Sequence, residues 1–170
     1  MVRLTTAVLL ALTLATVADA APPPRVSIGD YAQLKTPLPY PYNEAADADA
    51  QLNTALARAK AARKLVLIKM GGNWCGDCRI LQATMDLPEM KAFLGRHYEM
   101  VSIDVGRMDK NLQIPARFGV KDKLEGVPAI LIVDPATGRQ LVARADVAAL
   151  ADARHMSPQA LADWLARYTR

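Results

Sequence analysis

Hydrophobic positions along the chain fall into blocks of different period. From Asp47 onward, Leu52, Ala55, Leu56, Ala59 and Ala62 recur at helical spacing while Arg58 and Lys60 lie off that stripe, which predicts an amphipathic, alanine-rich helix to about Arg63. Positions 65–68 are a continuous apolar run of strand length, the pattern of a strand covered on both faces. After Cys78, the residues Ile80, Leu81, Thr84 and Met85 continue a helical face as far as Asp86-Leu87-Pro88. Proline ends one helix there and can open the next, a short one through Leu94. Val101, Ile103 and Val105 then alternate with Met100, Ser102 and Asp104, the period of a strand. Two strands joined by helix predict a parallel pair. Positions 129–133 form the next strand, and Asp134-Pro135-Ala136-Thr137-Gly138 is a turn sequence, so 140–143 is expected to return as its antiparallel partner. Ser157 and Pro158 are suited to the cap and first position of a last helix, with Leu161, Trp164, Leu165 and Tyr168 on its core-facing side. The pattern is α/β, a mixed sheet flanked by helices, without internal repeats.

The first 46 residues follow a different logic. Met1-Val2-Arg3 precedes a largely apolar run over 4–17 and then Ala18-Asp19-Ala20, with small residues at both positions that signal peptidase reads. The run is shorter than the roughly 20 residues that cross a bilayer. Residues 1–20 are therefore expected to be a signal peptide cleaved after Ala20, with neither a lipid-bearing cysteine after the cut nor paired arginines before it. Six of the eleven prolines (Pro22, Pro23, Pro24, Pro37, Pro39 and Pro41) fall within 21–46, where fixed φ and missing amide donors disfavour helix and central strand. An extended arm is expected there, packed by Tyr31, Tyr40 and Tyr42. Residues 47–170 then form one domain, long enough to bury a core given 170 residues and 52% hydrophobic composition.

Charge and cysteine content narrow the function. The formal net charge of +4 is unchanged by loss of the leader, which holds Arg3 and Asp19, and the basic residues are scattered, so nucleic acid is not an expected partner. Export to an oxidising compartment permits structural disulfides, yet the chain has two cysteines, both in one local motif. His97 and His155 are the two histidines, both far from that motif in sequence, and are expected on the surface rather than as ligands or bases.

Cys75 and Cys78, two residues apart at the first turn of a helix that follows a buried strand, form a specific arrangement. Unpaired amides and the helix dipole favour an anion at that position, which predicts a Cys75 thiolate with a pKa below the free value. The first cysteine of such a turn is the more exposed, so Cys75 is the expected nucleophile and Cys78 the resolving thiol. Attack on a substrate disulfide would leave a mixed disulfide on Cys75, which Cys78 breaks from within. That cycle needs no cofactor beyond the Cys75–Cys78 pair itself.

Through Trp74-Cys75-Gly76-Asp77-Cys78 and, some fifty residues on, Gly126-Val127-Pro128 entering a strand, the sequence resembles the thioredoxin family. The likeness is good over 65–143 and looser in the flanking helices. It implies a thioredoxin fold with a central mixed sheet. It also implies that Pro128 is the family's cis-proline, whose loop lies against the disulfide, that Val127 offers its backbone to an extended substrate, and that Trp74 covers the disulfide. The sequence departs from thioredoxin in three places. Lys69 replaces the buried aspartate of the cytosolic reductants. Either it lies beneath the disulfide, favouring thiolates when charged and losing that effect as burial neutralises it, or it snorkels out to solvent. Asp77 replaces the usual proline, suiting the helix start and repelling a nearby thiolate, with the balance open. Residues 121–125 lengthen the connection before Gly126; a tolerated surface insertion is the default, and an effect on partner docking the alternative.

These readings imply a thiol-disulfide oxidoreductase, a protein-disulfide reductant or isomerisation helper, periplasmic if bacterial and otherwise secreted. Its partners would be proteins carrying disulfides or thiols and a membrane or soluble recycling protein. Two readings compete with it: a module binding copper or zinc through the two thiols, disfavoured as a closed zinc site because two thiols do not complete one, and a redox-inactive adaptor.

Overall fold

The computed structural model describes residues 20–169. All but the last residue of the expected signal peptide thus lies outside the described residues. The chain folds as α1 (Ala48–Ala62), β1 (Leu65–Gly71), α2 (Gly76–Met85), α3 (Pro88–His97), β2 (Tyr98–Asp104), α4 (Gln113–Arg117), β3 (Ala129–Val133) and α5 (Pro158–Ala166).

Local chemistry sets these boundaries. The Asp47 carboxylate accepts from Ala50 N at 3.0 Å and starts α1, and Arg63 closes it in the left-handed region at φ 55°. Pro88 occupies the first turn of α3, after a break at Asp86-Leu87, and Ser157 caps α5 ahead of Pro158. Helix α3 runs three residues past the expected Leu94, to His97.

The sheet order is β2-β1-β3. Strand β1 pairs parallel with β2, from Leu65 against Tyr98 to Gly71 against Asp104, and antiparallel with β3, from Val66 against Val133 to Met70 against Ala129. All seven residues of β1 and all five of β3 are buried, as unbroken apolar runs require. The architecture is the mixed sheet flanked by helices of a thioredoxin fold.

The expected strand over 140–143 does not form. It is reduced to one bridge between Val133 and Gln140. The outer edge of β3 is satisfied piecemeal instead: Leu141 N donates to Ile132 O at 2.8 Å, Asp134 N to Arg139 O at 2.9 Å, and Ile130 N to Val147 O at 2.8 Å. With these groups paired, no continuous ladder is needed, and the chain leaves the sheet through a 3-10 turn at Arg144–Asp146.

The proline-rich arm is extended, apart from a 3-10 turn at Tyr31–Gln33, and is tied down along its length. Ala21 N donates to Thr169 Oγ1 (2.7 Å), Gln159 bonds both Val26 N and Pro24 O, and Ser27 N donates to Glu89 (2.7 Å). The Arg79 guanidinium donates to the carbonyls of Leu38 and Pro39 and stacks on Tyr40 at 4.0 Å. Of the three tyrosines expected to pack the arm, Tyr42 is buried, Tyr31 is half-buried and Tyr40 is exposed; Leu34 supplies the other buried anchor.

Candidate active site around Cys75 and Cys78

Strand β1 ends at Gly71 and the chain turns through Gly72-Asn73-Trp74 to reach α2. Cys75 is the N-cap of that helix: its backbone is extended (φ −83°, ψ 113°) and its sulfur accepts from Cys78 N at 3.1 Å. A disulfide joins Cys75 to Cys78, with Cα atoms 5.2 Å apart. Cys75 keeps 5% of its surface and Cys78 none, so an approaching sulfur can reach only Cys75. The amide that meets Sγ in this structure is the donor that would hold a Cys75 thiolate once the bond opens.

The Gly126-Val127-Pro128 loop comes to the same place. The Val127 carbonyl oxygen lies 3.5 Å from Cys75 Sγ, and the Val127–Pro128 peptide bond is cis. Gly71 sets the floor, since a Cβ there would lie 2.6 Å from Cys78 Sγ and 2.5 Å from Tyr42 Oη. Only glycine lets the strand end pass this close to the sulfur.

Lys69, two residues earlier on the same face of β1, is 2% exposed, which rules out snorkelling. Its Nζ donates to Gln82 Oε1, one helical turn beyond Cys78, and sits 5.3 Å above the Tyr42 ring. Burial pulls its pKa down to about 7, against an opposing pull from the Asp86 carboxylate. The ammonium is thus only partly charged at neutral pH.

Asp77 is balanced by a residue that the sequence does not single out. Arg154 donates from its backbone N (2.9 Å), Nε (3.0 and 3.1 Å) and Nη2 (2.7 Å) to the two carboxylate oxygens. Burial by itself pushes the Asp77 carboxyl up; the Arg154 hydrogen bonds and charge outweigh it and hold the group below the usual range. Arg154 belongs to a 3-10 turn (Ala153–His155) that packs on α2, and its guanidinium reaches Gly76, where a Cβ would stand 3.0 Å from Nη2. The same stretch of chain backs the Val127 loop, because a Cβ on Gly126 would meet the Ala151 Cβ at 2.8 Å. Residues 148–155 therefore form one wall of the site. No local motif announces it, as Arg154 and Asp77 are 77 residues apart.

The other candidates take clear positions. Trp74 is 48% exposed; its Nε1 donates to Gly106 O at 2.8 Å and Arg107 stacks on the ring at 4.7 Å, so the indole stands at the rim beside the loop after β2. Of residues 121–125, Leu124 is buried and anchors the insertion, while Glu125 forms a surface ion pair with Arg144 at 3.4 Å. His155 is exposed and paired with Asp152 at 2.6 Å, and His97 lies against Phe93 on α3. Asn73 carries no signal of a role in the sequence. Its side chain accepts from Tyr42 N (3.1 Å) and donates to Tyr42 O (2.8 Å), clamping the arm to the motif.

Residues 47–135 match the family model described as thioredoxin-like. Among solved structures, a disulphide isomerase from Xylella fastidiosa Temecula1 is 37% identical over 76% of this chain and 96% of its own, with a TM-score of 0.67. The germline-specific thioredoxin Deadhead from Drosophila melanogaster is 22% identical over 54% of this chain and 78% of its own (TM-score 0.40), and a DsbH oxidoreductase is 23% identical over 68% and 82% (TM-score 0.41). No curated protein sequence matches. The match over 47–135, together with a disulfide-closed CxxC at the head of α2, establishes that the chain belongs to the thioredoxin-like family.

Proposed function

We propose that this protein is an extracytoplasmic thiol-disulfide oxidoreductase that reduces or rearranges protein disulfides. The observation that carries this reading is the Cys75–Cys78 disulfide at the start of α2, with Cys75 alone touching solvent beside the Val127 carbonyl. In the reduced form, the Cys75 thiolate attacks a substrate disulfide and forms a mixed disulfide, expelling one substrate thiolate. Cys78 then attacks Cys75 Sγ and expels the second. Two electrons pass to the substrate and the Cys75–Cys78 bond re-forms. The backbone of Val127 is the group placed to meet an extended substrate segment. The likeness to the 37%-identical disulphide isomerase supports a protein-disulfide substrate. The leader pattern in 1–20 supports export, to the periplasm in a bacterium, and reduction there requires a recycling donor.

Insulin-disulfide reduction and refolding of scrambled ribonuclease test the activity, with Cys75→Ser expected to abolish both. Stoichiometric copper binding without thiol exchange would overturn the reading. A potential of about −270 mV marks a reductant and one of about −120 mV an oxidant.

A further inference from the structure

Tyr42 is 4% exposed, and its hydroxyl is one of three buried side-chain polar atoms among the described residues that have no hydrogen-bond partner. A buried hydroxyl without a partner is a cost that native proteins seldom leave standing without a use. Its position suggests the use. The point a Gly71 Cβ would occupy is 2.5 Å from Tyr42 Oη and 2.6 Å from Cys78 Sγ, so the phenol and the inner sulfur are close neighbours across one glycine. Two hydrogen bonds to Asn73 hold the Tyr42 backbone there, and Lys69 lies over its ring. Burial and the Asp104 carboxylate both push the phenol's pKa upward, which keeps it a proton-bearing donor.

A disulfide sulfur is a poor acceptor, whereas a thiolate is a strong one. When an external thiolate attacks Cys75 Sγ, the Cys75–Cys78 bond breaks and its electron pair leaves on Cys78, in a place with no solvent contact. We propose that Tyr42, delivered by the proline-rich arm, donates its hydrogen bond to the Cys78 sulfur in the reduced form, so that the arm tunes the redox balance of the pair. No proton leaves Tyr42. A second external thiolate resolves the mixed disulfide on Cys75 as the external pair becomes a disulfide; the two protons that the external thiols shed go to solvent, and the Cys78 sulfur accepts from Tyr42 as the thiolate in which it leaves the bond.

This deepens the oxidoreductase reading and rests on it. Tyr42→Phe removes only the oxygen, and the test is redox equilibrium with glutathione together with the Tm of each redox form. The variant is expected to favour its disulfide about tenfold more than wild type, close to 30 mV more negative for a two-electron couple, with the oxidised Tm unchanged and the reduced Tm lowered. A change under threefold would overturn the proposal, as would equal Tm losses in both forms, which would report packing alone. A wild-type protein that does not exchange with glutathione sinks the parent reading; normal exchange with an indifferent variant sinks only the role of Tyr42.

Discussion

Replacing Lys69 by methionine isolates a buried cation beside the Cys75–Cys78 pair. A lysine whose pKa falls from 10.5 to about 7 on folding loses a proton that the unfolded chain keeps. Between those two values the unfolded state binds more protons, so wild-type stability rises with pH through that window and the penalty is fully present below it. At about 1.36 kcal/mol per pH unit of difference, the rise between about pH 7.5 and 9.5 is roughly 2.5 kcal/mol, and the whole penalty at acid pH is about 4 to 5 kcal/mol. The Asp86 charge favours the ammonium and offsets only part of the effect of burial. Methionine fills similar space without a charge, so its stability curve should lack the rise and the variant should be the more stable form at pH 6. Urea unfolding of the oxidised protein, in which neither cysteine titrates, is the measurement. The buried tyrosines, whose raised pKa values bring losses only above about pH 10, stay outside the range. A difference between wild type and variant that stays constant within about 0.5 kcal/mol from pH 7.5 to 9.5 would refute the reasoning.

Two other changes probe the walls of the site. Arg154→Ala strips Asp77 of its partner and sets an uncompensated carboxylate beside Cys75, so the pH profile of Cys75 alkylation by iodoacetamide in the reduced protein should move upward and Arg154→Ala/Asp77→Asn should move it back; an unmoved profile contradicts an electrostatic role for the pair. Gly71→Ala drives a methyl into Cys78 Sγ and Tyr42 Oη, with an expected loss of about 1–3 kcal/mol in urea unfolding, and a variant as stable as wild type would show that the floor of the site yields.

Much of the scaffold was legible from the residues because its elements are encoded locally. Asp47, Pro88, Ser157 and Pro158 act on their own backbone turns, and the apolar runs of β1 and β3 show burial on both faces without reference to any partner. The cysteine spacing at the start of a helix likewise carried its own chemistry, and Cys75 and Cys78 lie at that helix start, joined by a disulfide. The missing strand at 140–143 marks the limit of such reading. A turn sequence followed by apolar residues encodes the reversal, and the structure keeps the turn but lets Leu141 and Val147 satisfy the edge of β3 separately.

The sequence by itself therefore determined β1, β2, β3 and every long helix, though neither the short α4 nor the loss of the strand over 140–143, together with the family and the placing of Cys75 and Cys78 at a helix start, since each of these is written in residues near one another along the chain. Tertiary structure alone decided what surrounds those sulfurs: that Lys69 is buried rather than extended to water, that Arg154 neutralises Asp77 from 77 residues away, and that the arm brings Tyr42 to the same glycine, Gly71, that Cys78 packs on. The physical reason is that the charge state and accessibility of a side chain depend on what desolvates and faces it, and those neighbours come from parts of the chain with no local relation to the motif.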